Sequence, residues 1–156
     1  MTAVENQQNT QAYFDKFRLL LEAGETLSLP VLGSSMTPFL VHQRDEVWLR
    51  KPEKALKKGD IVLYQRRNGD YILHRICRIQ DGSYTMIGDA HQVKEPGILP
   101  YQMVGVVIRV RRKGKILEPG SFWWSFFAHF WLWVIPLRKA FMKLYTLIPH
   151  LFRRSV

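Results

Sequence analysis

Apolar positions follow two different periods along the chain. Near the N terminus they recur every three or four residues, which is the spacing of one helix face, and Gly24 then provides a stop. This spacing predicts a helix over residues 11–23, preceded by a disordered or loosely held polar tail over residues 1 to about 10. The apolar positions of the predicted helix are Tyr13, Phe14, Phe17, Leu20 and Leu21.

From Glu25 to about Leu117 the apolar positions form short alternating runs separated by turn residues. Asn68-Gly69-Asp70 and Asp81-Gly82 are typical of β-hairpins, because these residue types tolerate the backbone of tight turns. Many short strands and few helices predict a compact, mainly antiparallel β domain. The predicted strands are residues 26–32, 46–50, 61–66, 71–79, 83–87 and 103–111.

Pro119-Gly120 interrupts this pattern, and an aromatic segment follows. Residues 122–137 contain no Lys, Arg, Asp or Glu, and half of them are aromatic. A bilayer span takes roughly 20 apolar residues, and aromatic side chains favour the headgroup level. The first interpretation is therefore an interfacial or re-entrant membrane anchor, the second a short true span, and the third a hydrophobic lid on a soluble dimer. Residues 138–152 add a second apolar stretch with basic residues.

These patterns divide the chain into three parts. Residues 1–24 form the N-terminal tail and helix, residues 25–118 the β-rich domain, and residues 119–156 an aromatic and basic, helical, membrane-associated segment. Residues 1–10 lack the basic start and apolar run of a signal peptide.

Charge narrows the choice of partners. The net charge is +10 and the pI about 10.0, which favours nucleic acid or an anionic membrane surface. No acidic residue follows Glu118, and the basic residues beyond it stand among aromatic ones, a mixture that suits a membrane better than a duplex. The only cysteine, Cys77, cannot form an internal disulfide, and no Cys and His spacing suggests a metal site. No metal or cofactor is expected.

The segment Gly33-Ser34-Ser35-Met36-Thr37-Pro38 follows a predicted strand and has the composition of a tight turn. A nucleophilic serine needs such a bend, with a free main-chain N–H nearby to stabilise the oxyanion of the tetrahedral intermediate. Small residues also fill ordinary turns, so the segment alone makes Ser35 no more than a candidate.

Two further segments supply the groups that such a serine needs. His74 lies in an apolar strand, and its ordinary pKa would allow it to take the proton of Ser35. Asp89 lies on a Gly-Asp turn, where its carboxylate could accept the far N–H of His74 and fix the tautomer. Each residue also has an ordinary structural interpretation, as a satisfied strand histidine and as a common turn residue.

Taken together, these segments resemble the signal peptidase family of serine proteases over about residues 29–110. The family order is a Ser-Met-x-Pro box, a Gly-Asp-x-Val strand start, a basic residue before arginine, a Gly-Asp turn and a Gly-x-Val strand. A histidine before the arginine is similar to the endoplasmic-reticulum and archaeal branch, whereas bacterial housekeeping enzymes use lysine. The boxes are Ser35-Met36-Thr37-Pro38, Gly59-Asp60-Ile61-Val62, His74-Arg75, Gly88-Asp89-Ala90 and Gly105-Val106-Val107.

The resemblance implies a nucleophile, a general base and an acid, which here are Ser35, His74 and Asp89. Many signal peptidases carry a serine two residues before the nucleophile, where this chain has a glycine, so Ser34 and Met36 are the oxyanion and substrate-binding candidates. In the histidine branch a second acid often lies about six residues on, and Glu95 is its counterpart here. Asp89 is preferred because it lies in the better-matched box.

The function implied is that of a membrane-associated serine endopeptidase. It would cleave signal or leader peptides from precursor proteins after small residues, with membrane lipid as a second partner and the side of the membrane left open. The alternative is a catalytically inactive β module that binds peptides or anionic lipid. A nucleic-acid binder ranks third, because the β domain shows no evident aromatic platform.

Overall fold

The computed structural model of the protein describes residues 3–152 and the side chains of residues 11–145. It consists of an eight-stranded antiparallel sheet, one helix before the sheet and a helical segment after it. The predicted mainly antiparallel β fold, with helices at both ends, is therefore confirmed. Residues 1, 2 and 153–156, which the sequence assigns to the terminal parts, lie outside the described residues.

The strands pair in the order β1-β2-β7-β3-β4-β5-β6, and β8 pairs with the end of β7. Two short strands were not predicted from the sequence. One of them contains Pro96-Gly97, residues that interiors of sheets avoid, and it is tolerated because it lies at the sheet edge. The strands are β1 (Leu27–Pro30), β2 (Glu46–Arg50), β3 (Ile61–Gln65), β4 (Tyr71–Gln80), β5 (Ser83–Ile87), β6 (Glu95–Ile98), β7 (Met103–Arg112) and β8 (Lys115–Leu117).

The first helix, α1 (Ala3–Glu22), is longer than the apolar spacing predicts. The prediction of a disordered tail is wrong for residues 3–10, which are helical. Glutamine, glutamate and alanine favour a helix even where no apolar face marks it, so intrinsic propensity extends the element beyond the packed turns. The packed turns bury Phe17 and Leu21 against the sheet.

The central strand β3 is buried on both faces. Ile61 and Leu63 point into a large core that includes α1, β2, β7 and the C-terminal segment, whereas Val62 and Tyr64 point into a smaller core on the other face. This arrangement explains the continuous apolar run of β3, because a strand covered on both faces has no solvent side to alternate with.

The C-terminal segment folds back onto the β body through one of its faces. The inner face belongs to the large core, and the Ala128 Cβ lies 3.0 Å from where a Cβ on Gly59 would stand. No helix within residues 3–152 is long and apolar enough to cross a bilayer. The segment comprises α2 (Phe122–Ser125), a π-helical turn (Phe126–Phe130), α3 (Trp131–Trp133), a 3-10 turn (Ile135–Leu137) and α4 (Arg138–Phe152).

Candidate functional site

Ser35 and His74 both line one cavity of about 690 Å³. Gly88 packs between them so tightly that a Cβ at this position would lie 2.6 Å from the Ser35 carbonyl oxygen and 3.1 Å from His74 Nε2. Only glycine fits such a close approach. The Ala90 N–H also donates to the Ser35 carbonyl at 2.8 Å, which joins the serine turn to the turn after β5. The fold therefore brings the three predicted segments together.

The serine turn leaves the groups of Ser35 available. The turn closes through a hydrogen bond from the Thr37 N–H to the Ser34 carbonyl, and the Thr37-Pro38 peptide is cis. Among the described residues, neither the main-chain N–H nor the hydroxyl of Ser35 has a hydrogen-bond partner. Ser34 is exposed beside the cavity, whereas Met36 lines its floor and is buried in the large core.

His74 contacts a tyrosine and is linked through it to a glutamate. Val62 pairs with His74, and Ile72 pairs with Tyr64, so Tyr64 and His74 are diagonal neighbours on one face of the β3–β4 pair. His74 Nδ1 lies 3.3 Å from the Tyr64 hydroxyl, which donates to Glu95 at 2.8 Å.

This relay selects a tautomer of His74. Because the Tyr64 hydroxyl donates its proton in the hydrogen bond to Glu95, the Tyr64 oxygen is left to accept a hydrogen bond from the Nδ1–H of His74. The Nε2 atom then carries the lone pair, and Nε2 is the atom that faces Gly88 and the serine turn. A general base for Ser35 requires this tautomer.

The charge states in the relay are set by burial and by Arg66. Burial, and then the charge of the neighbouring His91, lower the pKa of His74 to about 4, so the imidazole is neutral at neutral pH. Burial acts to raise the pKa of Glu95, but hydrogen bonds from Arg66 and Tyr64 outweigh it and lower that pKa. Arg66 reaches both Glu95 oxygens, at 2.7 Å and 2.9 Å. The relay therefore consists of an ionised Glu95 carboxylate, the Tyr64 hydroxyl and the neutral imidazole of His74.

Asp89 has a different partner from the one that the sequence indicates. Its carboxylate receives two hydrogen bonds from Arg75, at 3.0 Å and 2.8 Å, and both side chains are fully buried. Arg75 also donates to the Gly59 carbonyl at 2.8 Å. Among the described residues no hydrogen bond joins Asp89 to His74. Ser35 and His74 therefore line the same cavity, whereas Asp89 belongs to a pair that ties β4 to the Gly88-Asp89 turn.

The reason for this difference lies in strand direction. Consecutive residues of β4 point to opposite faces, so His74 and Arg75 cannot share a partner below the same face. Arg75 faces the large core, where its guanidinium lies 5.3 Å from the Phe39 ring centre. A buried arginine on that side requires an acid, and Asp89 provides it. Glu95, the second acid candidate, accepts a hydrogen bond from Tyr64, whose hydroxyl in turn contacts His74.

The C-terminal segment holds the turn on which the site depends. Arg138 is fully buried and donates to the Gly88 and His91 carbonyls, both at 2.9 Å, and to the Trp131 carbonyl. The indole N–H of Trp131 donates to the Asp89 carbonyl at 2.8 Å. These contacts fix residues 88–91 from outside the β domain.

His91 is a further site residue that sequence reasoning missed. Its ring stands perpendicular to that of His74, with the ring centres 5.7 Å apart, and it lines the same cavity. No motif marks it, and only the close packing of the Gly88 turn brings it to His74. Tyr64 was missed for a similar reason, since it looks like an ordinary buried strand residue.

Two strand edges border the cavity. The Val31 N–H donates to the Asp45 carbonyl, and the Val31 carbonyl accepts from the Gln43 N–H. The main-chain N–H and carbonyl of the next residue, Leu32, therefore face away from β2. Among the described residues, these two groups have no main-chain partner. On the other wall, residues 71–74 pair with β3 alone, because the β4–β5 pairing begins at Arg75. An extended peptide can therefore find unpaired main-chain groups beside Ser35.

Among the described residues, no group of three or more His, Cys, Asp or Glu side chains is arranged to hold a metal ion. No protein-family model matches the sequence, and no curated protein matches it either.

Proposed function

We propose that this protein is a membrane-associated serine endopeptidase of the signal-peptidase type, in which Ser35 is the nucleophile and His74 the general base. The observation that carries this proposal is the packing at Gly88, where a Cβ would lie 2.6 Å from the Ser35 carbonyl oxygen and 3.1 Å from His74 Nε2, while both residues line one cavity. The five sequence boxes that resemble the family support the same assignment.

In the proposed reaction, the Ser35 oxygen attacks a peptide carbonyl while His74 Nε2 takes the hydroxyl proton. The tetrahedral oxyanion is stabilised by the unpartnered Ser35 N–H, with Ser34 at the cavity edge as a second donor. The intermediate collapses as His74 returns the proton to the leaving amine, which frees the first product and leaves an acyl-enzyme. Water, activated by the same imidazole, then releases the second product.

Within this mechanism Glu95 and Tyr64 are positioning residues. When His74 becomes an imidazolium, its Nδ1–H bonds to the Tyr64 oxygen, and the Glu95 carboxylate polarises that tyrosine. The carboxylate therefore acts through one hydroxyl group instead of contacting the imidazole directly. Asp89 is assigned to the Arg75 pair and supports the turn.

The proposed substrate is a precursor protein that enters as an extended strand. The unpartnered edge at Leu32 and the free edge of residues 71–74 supply main-chain partners on two sides of the cavity. The family resemblance adds the expectation of small residues at the cleavage site, as part of a signal or leader peptide.

Membrane association is proposed through the outer face of the C-terminal segment. Trp133 is 78% exposed and Phe122 is 74% exposed, although both are large apolar residues. Aromatic rings of this kind favour the headgroup region, and the nearby Lys139 adds attraction to anionic lipid. Trp133→Ser should weaken binding to vesicles with anionic lipid, measured by co-sedimentation, whereas Tyr101→Ser, an exposed aromatic elsewhere, should not. Equal binding of both variants would reject this face.

Two observations favour the alternative, a catalytically inactive module that binds peptides or anionic lipid. No hydrogen bond joins the Ser35 hydroxyl to His74, and the lowered pKa makes His74 a weak base. The Ser35 side chain can rotate about a single bond at the edge of an open cavity, and unliganded active sites often lack their tightened contacts. A measurement of peptide cleavage therefore distinguishes the peptidase from the inactive binding module.

The test is cleavage of a mixed library of precursor peptides by purified protein, with cut sites identified by mass spectrometry. Ser35→Ala and His74→Ala should each reduce cleavage by at least about a thousandfold, because either loss disables the same step. Ser83→Ala and His129→Ala are matched controls outside the site and should cleave like wild type. Folded wild type that cleaves no peptide, or cleavage that survives Ser35→Ala, would reject the peptidase.

A further inference from the structure

The cavity at Ser35 continues into a second, apolar groove. This α1 groove has a volume of about 480 Å³ and lies between the N-terminal helix and the start of the sheet. Val31, Leu32, Tyr71 and Leu73 line both spaces, so the groove opens beside the serine turn.

The helix wall of the α1 groove is firmly attached to the sheet. Phe14 stacks on Tyr71 with ring centres 4.5 Å apart, and the Tyr71 hydroxyl donates to Asp15 at 2.9 Å. Tyr13 forms the rim of the groove and is 54% exposed. The groove is therefore a formed space between fixed elements.

The lining of the groove is apolar, whereas the cavity at Ser35 is mixed. None of the described residues that line the groove carries a charge, and Leu63 of β3 closes its floor. The Ser35 cavity, in contrast, carries Arg66, Lys94 and Glu95. Pockets of a few hundred Å³ with apolar walls bury most of the surface of an apolar ligand group.

We infer that the α1 groove is a specificity subsite that takes one large apolar side chain, leucine-like or aromatic, of the peptide that lies beside Ser35. This inference rests on the proposed function and deepens it. An extended peptide on the free edge at Leu32 runs directly past the opening of the groove, and alternate side chains of such a strand point to one face. The substrate would combine small residues at the cleavage site with a large apolar residue nearby.

The first test is a positional scan of a peptide that wild type cleaves. Each position on both sides of the scissile bond is occupied in turn by serine or by leucine, and kcat/KM is measured for each pair. At one position leucine should raise kcat/KM by about tenfold or more over serine, because burial of its side chain contributes to binding in the transition state. A flat scan would overturn the subsite while leaving the peptidase in place.

Paired variants of α1 assign the preference to the groove. Tyr13→Asp places a charge at the rim and should reduce the leucine-to-serine ratio to near one. Leu19→Asp places the same charge on the same helix at a residue that is 66% exposed and does not line the groove, so its ratio should stay at the wild-type value. Equal ratios in the two variants would overturn the assignment.

A binding measurement separates this inference from the proposed function. In Ser35→Ala protein, a fluorescent peptide with leucine at the selected position should bind about tenfold more tightly than its serine counterpart. If wild type cleaves nothing, the same pair of measurements on library peptides still decides the groove: leucine-dependent binding that Tyr13→Asp removes supports it, and equal binding overturns it. Wild type that sediments as a dimer, with Tyr13→Asp a monomer, would also overturn it, by assigning the groove to a second copy.

Discussion

Asp89 and Glu95 both follow β5, but they belong to regions of opposite character. Asp89 is fully buried and receives two hydrogen bonds from Arg75, which we call the closed pair. Glu95 is partly exposed at the cavity and reaches His74 through Tyr64, which we call the open relay. The acid that lies in the Gly-Asp motif is thus not the acid that is linked to His74. The face of the strand on which each partner lies decides the role.

The largest expected effect breaks the closed pair. Asp89→Asn leaves Arg75 as a buried charge without its partner, and loss of one partner of such a pair costs about 3–5 kcal/mol. Glu95→Gln should lower the free energy of unfolding by about 1 kcal/mol or less. The Glu95 carboxylate is partly solvated, and in the variant water can solvate the Arg66 guanidinium. Urea denaturation of both variants measures the difference in the free energy of unfolding. A larger loss for Glu95→Gln would reverse the assignment of the two regions.

Arg138 extends the closed pair into the C-terminal segment. Arg138→Gln removes donors from the Gly88, His91 and Trp131 carbonyls, and we expect a loss of about 1–3 kcal/mol for buried groups left unsatisfied. Lys139→Gln, at the exposed neighbouring position, should leave the free energy of unfolding unchanged. Thermal and urea unfolding provide the comparison. An unchanged Arg138→Gln protein would show that the segment does not hold the turn.

Removal of the Tyr64 hydroxyl tests the open relay. Tyr64→Phe removes the acceptor of His74 Nδ1–H, and kcat/KM should fall about 10–100-fold, the equivalent of one hydrogen bond to a charged group. Tyr84→Phe, a matched change on β5, should keep wild-type kinetics. Tyr64→Phe also leaves the buried His74 Nδ1–H without its acceptor, so its free energy of unfolding in urea should fall by about 1–3 kcal/mol, and kcat/KM is compared under conditions in which both variants are folded. If Tyr64→Phe retained full kcat/KM, the tyrosine would have no part in positioning His74.

The smallest expected effect is a shift in the pH dependence. In the proposed mechanism the neutral form of His74 is the active one, so kcat/KM should be level near neutral pH and fall as the pH drops through about 4. His91→Gln removes a neighbouring positive charge, which raises the pKa of His74 and moves this acid limb to higher pH. His129→Gln serves as the control and should leave the limb in place. A limb that does not move in His91→Gln would exclude His91 as a determinant of the His74 charge state.

Local patterns were sufficient to predict most of the sheet. Alternation gives β2 with correct bounds, and alternation together with the Asp81-Gly82 turn gives the β4–β5 hairpin, with β5 correct and β4 within one residue. The same patterns missed β6, whose Pro96-Gly97 looks like a turn, and the first turns of α1, which have no apolar face. These elements depend on an edge position and on helix propensity, neither of which alters the hydrophobic pattern.

The candidate site was predictable only in part. Ser35, His74 and the Gly88 turn carry local signals, and the fold brings them together. Tyr64 and His91 carry none, because their roles arise from strand register and from packing around one glycine. Arg138 lies far from the site in sequence, and its burial among carbonyl groups follows only from the return of the C-terminal segment to the β body.

The most direct test of the central claim is acylation of Ser35. A short peptide that ends in an alanine p-nitrophenyl ester would be mixed with the protein, quenched in acid and analysed by intact mass and peptide mapping. The Ser35 oxygen forms the new ester bond, p-nitrophenolate leaves, and His74 takes the serine proton. We predict one acyl group per molecule, located on Ser35 and lost in Ser35→Ala and His74→Ala. An acyl group on another residue, or no adduct while peptides are still cleaved, would contradict the assignment of Ser35 as the nucleophile.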